Sequence, residues 1–205
     1  MTDLAPLLPL PLALGGWIVA IIVLGVTLLV AVVAGLWLMG QYNGLVRMKE
    51  AVRSQWADVE ALLKRRHDLI PNLVETVQGY ARHESGTLEA VMQARASATS
   101  AGGVQETAQA ESGLSGALGR LMAVAENYPD LKADGNFAQL QRELTSTEDG
   151  IARARQGYNN VVRENNTMVQ SFPTNMIAGP FGFKQQDFFE VTTEAERETP
   201  QVSFS

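Results

Sequence analysis

Two histidines, His67 and His83, and no cysteine make up the chain's supply of imidazole and thiol. His83-Glu84 begins like a zinc-binding helix, but no second histidine follows at the four-residue spacing that puts two imidazoles on one face. His67-Asp68 sets a base beside a carboxylate that could orient it, yet no serine or cysteine on a glycine turn accompanies the pair. Gly102-Gly103 lacks the Lys-Ser/Thr that completes a phosphate loop, and Gly179-Pro180-Phe181-Gly182 reads as a turn. Without cysteine there is no disulfide, no thiolate catalysis and no sulfur-ligated metal. The residues therefore nominate no catalytic, cofactor-binding or metal-ligating group. With a net charge of −6 and no dense basic stripe, nucleic acid is not an expected partner either.

Two polar residues sit where periodicity calls for apolar ones. Counting sevens from Leu45 gives Leu45, Val52, Val59, Arg66, Leu73 and Tyr80, and four residues after the first five lie Lys49, Trp56, Leu63, Ile70 and Val77. A second heptad runs Phe137, Leu144, Ile151, Tyr158, Asn165 and Phe172, accompanied by Leu140, Thr147, Ala154, Val161 and Met168. Arg66 and Asn165 fall on these lines. A buried arginine is costly unless paired, so a carboxylate from another helix should meet Arg66, with Glu126, Glu143 and Glu148 as candidates. A polar residue in such a seam serves register and partner choice more often than chemistry.

These seams require long helices. The first is expected from Gln41 to His83, with a kink or break near Pro71. An Ala-rich helix from Thr87 stops at Gly102-Gly103, and a third carries Leu114, Leu118, Leu121 and Val124 as far as Asn127. NYPDLKADGN reads as a loop, Asn136 with Gln139 as a capping box, and Pro173 as the stop of the last helix. No alternating strand pattern occurs. The fold expected over 41–172 is all-α, an antiparallel up-and-down bundle of three or four coiled-coil-like helices.

Ahead of the bundle, residues 17–39 form an uncharged apolar run with Trp17 and Trp37 near its ends and Met39 closing it. A helix of that length reaches about 35 Å, enough to cross a bilayer. The run is too long for a cleaved signal peptide, and no Lys or Arg precedes it. Arg47, Lys49 and Arg53 follow closely, so the positive-inside rule places the Pro-rich, irregular leader 1–16 outside and the large domain in the cytoplasm. Those three residues are candidate lipid contacts. Lys64-Arg65-Arg66 begins too far up an upright helix to share that role. The tail 173–205 is aromatic and turn-rich, and a last helix returning to the bilayer would leave Phe181, Phe183, Phe188 and Phe189 near the headgroups. Residues 192–205 read as frayed.

The run from Tyr42 to Val91 containing KRRHDLIPNLV, the segment containing NYPDLKA, and FPTNMIAGPFGF closely resemble the LemA family of bacterial membrane proteins. The likeness spans Tyr42 to about Phe189. It implies one N-terminal membrane helix in the bacterial inner membrane, with a cytoplasmic helical bundle behind it. It brings no established activity; relatives are thought to work beside membrane peptidases or in organising membranes. The sequence departs from the family's usual Tyr at Gly157 and its Tyr-Asn pair at Asn165-Asn166, changes expected to weaken packing in the last helix. The expected function is a non-enzymatic, membrane-anchored scaffold that self-associates or docks another inner-membrane protein. The alternative is an oligomeric coat that remodels the cytoplasmic leaflet.

Overall fold

The computed structural model describes residues 10–190, with side chains from Gly16 onward. Most of the leader, and residues 191–205 with the end expected to fray, 192–205, lie outside the described residues. Six helices follow in order: α1 (Leu10–Tyr80), α2 (Ser85–Ser100), α3 (Val104–Ala125), α4 (Pro129–Lys132), α5 (Gly135–Gln170) and α6 (Asn175–Ala178). No strand occurs among the described residues, so the fold class is all-α as expected.

α1 has 71 residues and extends about 105 Å as one helix. It departs from expectation at both ends. Residues 10–16 are helical, not irregular, because Pro11 stands in the first turn, where its missing N–H has no intrahelical partner to lose. The helix stops at Tyr80, and the turn lies at 81–84. Every residue from Trp17 to Met39 is exposed in the isolated chain, and this is the one helix among the described residues long and apolar enough to cross a membrane. The single hydroxyl within residues 17–39, on Thr27, donates back to the carbonyls of Val23 and Leu24 and so needs no water.

The expected break at Pro71 does not occur. Proline has no N–H to give to the carbonyl four residues back, that of His67. The Arg95 guanidinium of α2 reaches that carbonyl instead, Nε to O 2.7 Å, and the helix runs on.

Residues facing each other across α1 and α5 fall in number along one helix as they rise along the other. Tyr80 meets Asp134, Arg66 meets Glu148, Leu62 lies against Gly150, Gln55 against Gly157 and Gly44 against Met168. At Gly150 a Cβ would come within 3.2 Å of Leu62, so glycine is what lets the two helices lie this close. Leu45, Val52, Val59, Leu63, Ile70, Leu73 and Val77 are buried along α1, and Phe137, Leu144, Ile151 and Tyr158 along α5. Tyr80 and Phe172, the last members of the two heptads, are exposed.

α2 and α3 complete the core at the end away from the span, where Leu88, Val91, Leu114 and Leu121 pack on Ile70, Leu73 and Val77. Two local expectations are corrected there. Asp134, not Asn136, caps α5, its carboxylate accepting from the Phe137 N–H at 2.9 Å. The stretch read as a loop contains the one-turn α4, begun by Pro129. Towards the span the α2–α3 hairpin ends, and residues 183–189 run along the α1–α5 seam in its place. Phe188 and Phe189 therefore lie away from any headgroups: Phe189 is buried against Trp56, ring centroids 5.4 Å apart, and Phe188 packs beside it.

Candidate functional site

Arg66 is 1% exposed and joins three helices. Its Nη1 donates to Glu148 Oε1 on α5 at 2.5 Å and to Ser115 Oγ on α3 at 3.1 Å, while its Nη2 pairs with Glu111 on α3. Glu111 Oε1 in turn lies 2.6 Å from His67 Nε2. The His67 carbonyl accepts from Arg95, bringing in α2. One guanidinium, two carboxylates, an imidazole and a second guanidinium thus tie α1, α2, α3 and α5 at a single level.

The protonation states follow from these surroundings. Burial lowers the His67 pKa from 6.5, helped by the charges of Arg66 and Arg95 and opposed by Asp68. A neutral imidazole with its proton on Nε2 satisfies Glu111 without adding a charge. Asp68 serves Lys64, 2.6 Å away on the surface, and this contact holds its carboxyl below the usual range.

Of the three carboxylates expected to meet Arg66, only Glu148 does. Glu126 is exposed beyond the end of α3, and Glu143 accepts from Gln139 one turn earlier on α5. Both sit at heights on their helices that Arg66 does not reach. Glu111 is the partner that sequence reasoning missed. It stands three residues ahead of Leu114, on the same apolar stripe as Leu118 and Leu121, so a charged residue on that stripe was the available signal.

A cleft of about 300 Å³ opens above Arg66 between α3 and α5, with Ser112, Arg155 and Glu190 around it. Its chemistry is limited. Ser115 touches Arg66, a donor, and His67 is turned to Glu111. Among the described residues no three His, Cys, Asp or Glu side chains gather where a metal ion could bind.

Asn165 belongs to a second polar arrangement. Its Nδ2 donates to Asn166 Oδ1 and to the Lys184 carbonyl. Asn166 takes both peptide groups of Gln186, accepting from its N–H at 2.8 Å and donating to its C=O at 2.9 Å. Asn159 does the same for Phe189, at 2.8 and 3.3 Å. Seven helical residues span about 10.5 Å and three extended residues about 10 Å, so asparagines seven apart on α5 match peptides three apart in the tail. Between them Tyr158 donates to the Asp187 carbonyl at 2.9 Å; burial first, then Asp187, pushes its phenol up to about 12. The departure at Asn165-Asn166 thus holds the tail, and does not cost the packing expected of it.

Arg47, Lys49 and Arg53 are exposed, roughly 12 to 21 Å along α1 from Met39. Phe181 is 64% exposed, set edge-on against Tyr42 at 5.2 Å, whereas Phe183 is half-buried beside Leu45.

The LemA family profile matches residues 55–204. The chain is 28% identical to magnetosome protein MamQ 2 of Paramagnetospirillum magneticum (83% of this chain, 72% of the relative). It is 24% identical to magnetosome protein MamQ of Magnetospirillum gryphiswaldense (80% and 71%) and 28% identical to protein LemA of Metamycoplasma hominis (77% and 72%). With the profile covering most of the chain, the protein belongs to the LemA family.

Proposed function

We propose that this protein is a non-enzymatic scaffold of the inner membrane, held by residues 17–39 with its helical domain in the cytoplasm. On this reading α1, α2, α3 and α5 form an up-and-down antiparallel bundle that self-associates or docks a second membrane protein, a membrane peptidase being one kind of partner. The observation that carries it is the use made of the one buried charged cluster among the described residues. Arg66, Glu111, Glu148 and His67 are engaged with each other across three helices, on a helix continuous with the apolar span. Charges committed in this way fix the relative height of helices and are not themselves free to act as base or nucleophile. The orientation rests on Arg47, Lys49 and Arg53 beyond the span.

The test is the mass of the full chain extracted in mild detergent, with any co-purifying protein identified. A discrete homo-oligomer or a stoichiometric complex is expected. A strict monomer without partner would contradict the scaffold reading.

A second reading, a coat acting on the cytoplasmic leaflet, draws on the exposed apolar residues Phe172, Met176 and Phe181 near the span.

A further inference from the structure

We propose that the turn joining α5 to the tail, residues 172–181, is a second membrane contact, which sinks Phe172, Met176 and Phe181 into the leaflet from which α1 emerges. The inference rests on reading residues 17–39 as membrane-spanning, and it supplies the lipid-contacting element that the coat reading needs.

Height along α1 places the turn by two independent routes. Tyr42 stands three residues beyond Met39, about 4.5 Å further along the axis, and Phe181 lies against it at 5.2 Å. On α5, Met168 touches the position of Gly44, and the helix then continues towards the span. Gln170, the last helical residue, comes to about the level of Tyr42, and Phe172 follows two residues beyond it. Both routes end within a few ångströms of the last apolar residue of the span, where headgroup gives way to hydrocarbon.

The chemistry of the turn suits that depth. From Ser171 to Phe183 the sequence SFPTNMIAGPFGF carries no charge, and Lys184 closes it. Phe172, Met176 and Phe181 are 78%, 69% and 64% exposed, well above the neighbours that hold the turn in place. Ile177 and Ala178 are buried with Leu45, Thr174 Oγ1 donates to the Ser171 carbonyl, and the Phe183 N–H returns to the Ala178 carbonyl at 2.9 Å. Beyond Lys184, Asn165 and Asn166 grip the tail. The turn is thus tied at both ends, and its three large apolar side chains are left over. A fixed, charge-free apolar turn beside a membrane helix is what an interfacial contact requires.

The absence of cysteine makes the test direct. Phe172→Cys, Met176→Cys and Phe181→Cys, each exposed and so not expected to disturb folding, are labelled singly with an environment-sensitive fluorophore. The full-length protein is placed in phosphatidylcholine–phosphatidylglycerol nanodiscs, with and without lipid brominated high on its acyl chains. Leu28→Cys reports on the span and Ser97→Cys on the middle of the bundle, well beyond the headgroups. Labels at 172, 176 and 181 should be blue-shifted and quenched by bromolipid to an extent comparable with position 28, with position 97 unquenched. Quenching at 28 without quenching at the three turn positions overturns the proposal and leaves the span intact. No quenching at 28 overturns the spanning reading itself. Turn labels that are blue-shifted yet insensitive to bromolipid mean that protein covers the turn, which also overturns the proposal.

Discussion

The Arg95 guanidinium donates to the His67 main-chain carbonyl at 2.7 Å, and this is the carbonyl that Pro71 leaves without its helical partner. A long helix with a proline inside it is thereby continued by a side chain from its neighbour. The contact docks α2 on α1 at the level of the Arg66 cluster.

Removing either member should reveal the coupling. Arg95→Ala is expected to destabilise the bundle by about 1.5–3 kcal/mol, the range for a hydrogen bond from a charged group, in denaturant melts followed by circular dichroism. In a Pro71→Ala background the new N–H can serve the His67 carbonyl, so the same substitution should cost clearly less. Equal losses in the two backgrounds would mean that the carbonyl is not what Arg95 serves.

Arg66→Ala leaves the buried Glu111 without its counter-charge, and a loss of about 3–5 kcal/mol is expected. Arg66→Met combined with Glu111→Leu removes both charges at similar volume and should come within about 1 kcal/mol of the parent or exceed it. Glu148, with a side chain 40% exposed, can then turn to water. A single-variant loss below about 0.5 kcal/mol would contradict this account of the cluster.

His67 gives the pH dependence a definite sign. Its folded pKa lies below 6.5, so above 6.5 the folded and unfolded chains carry it alike as the neutral ring. As pH falls from 6.5 towards the folded pKa the unfolded chain binds the proton first, and stability declines. Melts of His67→Gln should lack this component, and an NMR titration should place the His67 midpoint below 6.5. A His67 midpoint above 6.5 would reverse the assignment.

In the tail, Asn166→Ala withdraws two hydrogen bonds from Gln186 and Asn159→Ala two from Phe189. Each should speed amide hydrogen exchange at its own partner and little elsewhere, because the α1–α5 seam beneath stays packed. Exchange unchanged at residues 186 and 189 would show that the asparagines do not hold the tail.

How far these features could be read beforehand follows from how local they are. The heptads through Leu45–Leu73 and Phe137–Asn165 repeat within one helix, so buried faces and the misplaced Arg66 were legible from spacing alone. The continuity of α1 through Pro71 was not, because it depends on Arg95, 24 positions later in the chain. Glu111 escaped because the α3 stripe was counted from Leu114 and not extended back one turn. Asn165 was correctly singled out as polar on an apolar line, but its partners are main-chain groups of an extended tail that no periodicity marks. Phe188 and Phe189 were misplaced for the same reason: their destination is set by Trp56 and by asparagine spacing on another helix.

On the scaffold reading, Arg66, Glu111 and Glu148 set the height of the helices against one another and neither perform chemistry nor meet a partner. The most direct measurement is the mass, and the co-purifying protein if any, of the full-length Arg66→Met, Glu111→Leu variant extracted in mild detergent beside the parent chain. On this reading a folded variant in the same assembly as the parent is expected. A variant that folds with parental stability yet has lost that assembly would contradict it, and would move Arg66 and Glu111 from the frame of the protein to its working surface.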